Sequence, residues 1–282
     1  MTLWGTRRKR VIVPSILITG VTTGLGRALV LKAHSAGWRV FGTTRNERAA
    51  AEQGFPAEVT LYRLEPRFPH AVVTFNERFL AQHGAPDVLV NNAAFALYGP
   101  VEEVSHEALA DLFQVNTFAA IGLIKGMLPA MRQRGSGTIV NVTSLGGRMV
   151  FPFFTTYNAS KHALEGFSEG LWHELKPFGI RVKAIEPGYI STSIYKAMDE
   201  SVAPEGPYAP GLEAMNEFSA GIKKRSTPEE AAEEVWSAIL DPSDRLRYPV
   251  AAYARPMLAL RAALGNQRFI RVMHGRWLGP RR

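Results

Sequence analysis

Short, continuously apolar runs alternate along this chain with longer segments of helical period, and that alternation restricts its fold more than any other feature. SILIT (15–19), WRVFGT (38–43), VTLYRL (59–64), DVLVNNA (87–93), GTIVNVT (137–143), IRVKAIEP (180–187) and LRYPV (246–250) read as strands. Most show no polar face, so both faces must be buried, as in a parallel sheet covered by helices on each side. The segments between them have helical length and period, clearest in GRALVLKAHSAG, ALADLFQVNTFAAIGLIKGMLPAM and TTYNASKHALEGFSEGLWHEL. Such alternation specifies an α/β fold, a doubly wound parallel sheet of about seven strands flanked by helices.

Of the 282 residues, 46% are apolar and 21% charged, ample for one sizeable core. No Gly/Ser/Pro-rich linker divides them. A single domain is expected over 14–253, with a basic tail (1–13) before it and a basic extension (254–282) after it. The pattern loosens from Tyr189 to Arg225, the natural place for a substrate-covering segment (189–225). Thr227-Pro228-Glu229-Glu230 then supplies an N-cap, a proline at the first helical position and a capping-box glutamate, opening a helix to about Leu240.

The net charge is +8, with Arg7, Arg8, Lys9 and Arg10 at one end and Arg268, Arg271, Arg276, Arg281 and Arg282 at the other. Such runs occur in nucleic-acid binders, but these lack interleaved aromatics, and no nucleic-acid partner is expected. Cysteine is absent, which removes thiolate chemistry and fits a reducing, cytoplasmic setting. The seven histidines show no ligand spacing, so no metal is expected. VIVPSILITG follows the basic cluster as a signal peptide would, but Pro14 breaks it and no small-residue cleavage site follows. No uninterrupted apolar stretch reaches the roughly 20 residues of a membrane span. In PMLALRAALGNQRFIRVMHGRW, apolar residues recur at helical spacing with arginines between them. That pattern suits a membrane surface, although a lid or subunit contact is the reading preferred.

The first strand runs straight into TGVTTGLGRAL, which sets Gly20, Thr22, Gly24, Leu25 and Gly26 between a strand and a helix. Such a turn lets backbone N–H groups and a helix N-terminus face a pyrophosphate. No Gly-Lys-Ser/Thr follows, so it is not a P-loop. The end of the second strand is where an adenosine ribose is read: an acid there suits a 2′-hydroxyl and an arginine a 2′-phosphate. This chain offers Thr43-Thr44-Arg45, with no carboxylate before Glu47. The fork of donors on Arg45 favours NADP over NAD.

Five blocks occur in order: Thr19-Gly20-x-x-x-Gly24-x-Gly26; Asn91-Asn92-Ala93-Ala94; Asn116; Ser144 with Tyr157-x-x-x-Lys161; and Pro187-Gly188 leading to Thr192. Through them the chain resembles the short-chain dehydrogenases/reductases from about Ser15 to Tyr253, and SLGGRMVFPFFTTYNASKHALEG looks most like the hydroxysteroid and retinol dehydrogenase group. The resemblance implies a Rossmann-type fold and a nicotinamide cofactor. Two positions depart from the family pattern. Ala94 stands where a glycine is usual, and Glu65-Pro66 where an acid is followed by a residue with an N–H for the adenine, which proline lacks.

Tyr157 and Lys161 lie four apart in a helical segment and are neighbours on its surface. Half-ionising the phenol at pH 7 requires its pKa to fall from about 10 to about 7, roughly 4 kcal/mol. A unit charge about 4 Å away supplies on the order of 4 kcal/mol at an effective dielectric near 20, so Lys161 is expected to make Tyr157 a general acid or base at neutral pH. The resemblance assigns the companion roles. Tyr157 would exchange a proton with the substrate oxygen, and Ser144 would hydrogen-bond that oxygen. Lys161 would also hold the nicotinamide ribose, and Asn116 would anchor a water linking Lys161 to solvent. Asn92 and Ala93 would line the adenosine and ribose region, and Pro187, Gly188, Ile190 and Thr192 the nicotinamide.

Candidate pocket residues are apolar: Phe95, Leu97, Phe151, Phe153, Tyr189, Ile194, Met198, Met215 and Phe218. No arginine or lysine converges among them, which points to a lipophilic alcohol or ketone such as a steroid, retinoid or aromatic carbonyl compound. The function expected is an NADP-dependent oxidoreductase; the alternative is a non-catalytic NADP-binding sensor or scaffold. Relatives usually dimerise through the long helices from Asn116 and Thr155, so a homodimer or homotetramer is expected.

Overall fold

The computed structural model describes residues 13–192 and 206–279. Residues 1–12 of the basic tail, Ile194 and Met198 of the covering segment, and Arg281 and Arg282 lie outside them. Seven strands form one sheet: β1 (Ser15–Thr19), β2 (Arg39–Thr44), β3 (Thr60–Arg63), β4 (Val88–Asn91), β5 (Gly137–Val142), β6 (Ile180–Pro187) and β7 (Arg247–Val250). All pairings are parallel in the order β3-β2-β1-β4-β5-β6-β7. The chain reverses its direction of growth between β1 and β4, and the carboxyl ends of these two strands open the crevice where such sheets bind ligands.

The continuously apolar strand sequences follow from double burial. One face packs Ile16, Ile18, Val88, Val90 and Val140 against α1 (Gly24–Ser35) and α8 (Pro228–Leu240). The other packs Leu17, Leu89 and Ile139 against α3 (Pro69–His83), α5 (Ala119–Arg134) and α6 (Thr155–Leu175). Each fully buried Leu or Ile contributes on the order of 1.5–3 kcal/mol. The expected capping box at α8 is present in full, with Thr227 and Glu230 each accepting from the other's backbone N–H.

The helix expected over 108–131 runs on from α4 (His106–Phe113) into α5, but Gln114–Phe118 between them form a π turn. The span His106–Arg134 is long and apolar enough, by length and composition alone, to cross a membrane; here its Leu123, Ile124, Met127 and Met131 are buried on the sheet. Above the carboxyl edge of β5 and β6, a third cluster joins Leu145 and Met149 to α7 (Ala209–Ala220) and to the last helix, α10 (Asn266–Leu278). Helix α9 (Ala254–Leu264) connects β7 to α10. The C-terminal extension thus forms a wall over the site end of the sheet, with Phe269, Met273 and Trp277 turned inward.

Candidate active site

The glycine turn is stitched to the end of β4. Thr19 Oγ1 accepts the backbone N–H groups of Asn92 and Ala93, both at 2.9 Å. The Asn92 amide donates back to the Thr19 and Gly20 carbonyls at 2.9 and 3.1 Å. Strand β4 therefore stops at Asn91, short of the 87–93 run expected, because the side chain of Asn92 takes over as a brace. Gly20 has φ +70° and Ala93 Cα would lie 2.7 Å from a Cβ there. A Cβ on Gly26 would collide with Gly20 O and sit 2.6 Å from Asn92 Nδ2. Only glycine allows α1 to begin this close to β4.

A cleft runs from this turn along the sheet edge, with an empty volume of about 2270 Å³ counted out to open solvent. Gly20, Thr22, Gly24, Leu25, Gly26, Arg45, Asn92, Ala93, Tyr157, Lys161, Pro187, Gly188, Ile190 and Thr192 all line it. The structure thus brings every residue expected for the cofactor to one surface. Helix α1 starts without a side-chain cap from Thr23 and without an acid in its first turn, so its leading N–H groups suit a phosphate. Arg45 is exposed at the rim, beside Thr44, whose hydroxyl lies 2.7 Å from that of Thr22. Leu64 and Pro66 line the opposite lip, and Gln114 donates to the Pro66 carbonyl at 3.1 Å. Ala94, at the other departure from the family pattern, lines the cleft as well.

Ser144 follows β5 and accepts the Gly146 N–H at 2.9 Å. Tyr157 and Lys161 project from the first turns of α6. The Lys161 amine is buried and donates to the Val142 carbonyl at 2.9 Å, with Nζ 6.0 Å from the centroid of the Tyr157 ring. Burial lowers the Lys161 pKa to about 8 against the opposing pull of Glu165. The expectation of a phenol tuned downward is not met in this state: burial raises the pKa of Tyr157, and its hydrogen bond with Ser144 opposes the rise. Taking the phenolate out of water costs more than a single ammonium returns, especially one whose own charge is penalised by burial.

Asn116 sits in the π turn, buried. Its amide oxygen accepts Phe95 N–H at 3.0 Å, while Nδ2 donates to Phe95 O at 2.9 Å and Ser160 Oγ at 3.0 Å. It thus clasps the β4 exit loop to α6 one residue before Lys161, and a second lone pair on Oδ1 is its remaining capacity. The same clasp explains a correction: Phe95, expected at the substrate, lines the dinucleotide cleft instead.

A second pocket opens beside the first, with an empty volume of about 620 Å³ including its mouth. Of the expected residues Ser144, Phe151, Tyr189, Met215 and Phe218 line it. Leu97 and Phe153 do not. Ala96 lines the pocket where Leu97 was expected, and Phe153 packs against Tyr98 and Tyr208 at 6.2 and 6.5 Å between centroids. Leu145, Phe154 and Ser219 were missed. So was Arg225, which donates to the Ser219 carbonyl at 3.0 Å and stands nearer the pocket than the sequence suggested. Trp277 of α10 backs the wall, 5.4 Å from Phe151 and 6.4 Å from Phe218 between centroids; nothing local in the sequence joins these three.

A seven-stranded parallel sheet with an uncapped glycine turn at its switch point and a long cleft beyond defines an α/β protein built to hold a dinucleotide. The family model for short chain dehydrogenases matches residues 14–203, and the chain belongs to that family. It is 33% identical over 205 residues to an uncharacterized oxidoreductase of Schizosaccharomyces pombe, covering 72% of this chain and 86% of that one. With human 17-beta-hydroxysteroid dehydrogenase type 1 it shares 31% identity over 265 residues, covering 87% and 80%. The crystal structure of a short-chain dehydrogenase from Streptomyces avermitilis superposes with a TM-score of 0.80 at 30% identity, covering 95% of this chain and 97% of that chain. L-sorbose reductase from Gluconobacter frateurii, solved with NADPH and L-sorbose, gives 0.72 at 25% identity, covering 84% and 95%. The chain is therefore a short-chain oxidoreductase of the nicotinamide-dependent kind.

Proposed function

We propose that the protein is an NADP-dependent oxidoreductase interconverting a lipophilic alcohol and its ketone or aldehyde, with Tyr157 as the proton carrier. One observation carries this reading: Ser144 and Tyr157 line both the dinucleotide cleft and the apolar pocket. Among the described residues, Ser144 and Tyr157 are the hydroxyl groups the two cavities share, so a carbonyl in the pocket meets them where the cofactor's reactive end is expected. A nicotinamide dinucleotide, when bound, supplies or accepts the hydride. The α1 N-terminus would face its phosphates, Asn92 and Ala93 its adenosine side, and Ile190 and Thr192 its other end. Exposed Arg45, with no acid beside it, supports the 2′-phosphate form.

The chain's own groups divide the remaining work. Ser144 holds the substrate oxygen by a hydrogen bond. Tyr157 donates its phenolic proton to that oxygen in reduction and takes it back in oxidation. Lys161 favours the phenolate left behind and is held in place through the Val142 carbonyl. Asn116 fixes the loop and helix that carry these groups. A phenol whose pKa is raised by burial is protonated at neutral pH and so is available as the acid in carbonyl reduction. The lining of Ala96, Leu145, Phe151, Phe154, Met215 and Phe218 favours an apolar substrate body.

The test is consumption of NADPH against a panel of lipophilic ketones and aldehydes, with NADH as the control. Tyr157→Phe should lower turnover at least about 1000-fold, consistent with loss of general acid catalysis, while NADPH still binds by fluorescence titration. An unchanged turnover number would remove Tyr157 from the mechanism. NADPH binding without turnover by the wild-type protein across the panel would favour a sensor or scaffold.

A further inference from the structure

Behind Lys161, on the side away from the cleft, lies a run of buried charge that the proposed reaction does not use. Glu165 is one turn further along α6 and is 4% exposed. Thr143 Oγ1 lies 2.6 Å from both Glu165 Oε1 and the Ile185 carbonyl, its single proton shared between them. Arg247 on β7 holds the other oxygen of Glu165 at 3.1 Å, reaches Glu169 at 2.6 Å and approaches Glu186 at 3.6 Å. Glu186, at the end of β6 beside Pro187, is wholly buried and pairs with Arg148 at 2.6 Å. Its second oxygen has no partner. Three carboxylates thus face two guanidiniums, Arg261 bonds the Arg148 carbonyl at the outer side, and Lys161 lies one helical turn from Glu165 on the inner side.

Arg148, Arg247 and Glu169 reach solvent, whereas Glu165, Glu186 and Lys161 do not. A buried carboxylate pinned by a hydroxyl and a guanidinium cannot swing away to be hydrated, so its field acts on its neighbour at low dielectric. We infer that Glu165 is a positioning residue: its fixed carboxylate, one helical turn beyond Lys161, keeps a proton on that amine in the dry interior, and its pair with Arg247 anchors that charge to the surface. Without it, burial would lower the hold of Lys161 on its proton further and thin the ammonium population whose charge the phenolate of Tyr157 needs. The consequence for turnover rests on the reading of the site as a reductase; the consequence for Lys161 does not.

The groups facing Lys161 set the sign. Removing a negative charge, at Glu165 or Glu186, loosens its proton. Removing a positive one, at Arg247 or Arg148, tightens it, and Tyr157 is neutral in this range. The experiment is a pH titration of the full-length protein without added nucleotide, labelled with ¹³C at lysine Cε, the Lys161 resonance assigned by its loss in Lys161→Arg. Glu165→Gln should lower the Lys161 midpoint by at least about one pH unit, a tenfold weaker hold on the proton. Glu165→Asp should restore most of it. Arg247→Gln should raise the midpoint and Arg247→Lys leave it in place, a pair that decides the matter even if Glu165→Gln does not fold. General loosening of the site would let water in and raise the midpoint toward that of an ordinary lysine in Glu165→Gln and Arg247→Lys as well, where the inference requires a fall and no change. A midpoint unmoved in Glu165→Gln, or moved alike by both Arg247 variants, overturns the inference. A protein that titrates as described yet reduces no carbonyl compound would sink the proposed function and leave this role of Glu165 standing.

Discussion

At the scale of single residues the site is decided by a few close approaches. Gly26 is the sharpest, since any Cβ there meets Gly20 O and the Asn92 amide that braces β4 to β1. Gly26→Ala should cost about 1–3 kcal/mol by overpacking and weaken NADPH binding more than tenfold, because relief comes only by moving the turn. A stability loss in urea with unchanged NADPH affinity would show that the turn does not touch the cofactor. Asn116 illustrates the opposite economy. One amide ties two backbone groups of Phe95 and the Ser160 hydroxyl together, and so sets where the loop above the cleft and the start of α6 meet.

At the scale of elements, the strands and helices read from hydrophobic period lie where the periods put them. The seven expected strands are present with ends shifted by no more than a residue or two, because double burial leaves little freedom in a parallel sheet. Helix α8 shows how a local signal fixes an element. Its capping box closes the first turn, and its apolar face then packs on α1, with Trp236 edge-on to Trp38 at 5.0 Å. Thr227→Ala should therefore destabilise by about 1 kcal/mol, read as a fall in Tm of roughly 2–4 °C. NADPH affinity should be unaltered, since α8 lines neither cavity. The π turn at Gln114–Phe118 was not legible: its residues have the same apolar pattern as the helix around them. The turn answers to Asn116, which it carries toward Phe95 and Ser160.

At the scale of the whole molecule, the C-terminal helices turn an open sheet edge into a pocket. Phe269, Met273 and Trp277 of α10 meet Leu212 and Met215 of α7 and the loop after β5. Trp277 meets Phe151 and Phe218, which line the apolar pocket and not the cleft. Trp277→Ala should cost about 3–5 kcal/mol if the cavity stays open and raise KM for the carbonyl substrate at least tenfold. The Kd for NADPH should move by less than about twofold, because the cleft lies on the far side of Ser144 and Tyr157; a matching loss of NADPH binding would mean that the wall supports both cavities.

The order of strands and helices, the glycine turn, the placing of Arg45 and the Ser144, Tyr157 and Lys161 triplet were all legible in the sequence, because each rests on spacing along one strand, turn or helix. Phe95, Leu97 and Phe153 were misjudged and Trp277 was not foreseen as a neighbour of the site, because their surroundings are assembled from segments far apart in the chain; Glu165 and Glu186 lie close in sequence to Lys161 and Pro187, but the guanidiniums that hold them come from distant segments. The same division separates the two readings of Tyr157. Sequence spacing puts an ammonium beside a phenol, but the cost of charging either group depends on how much water the rest of the fold removes, and that is a property of packing in three dimensions.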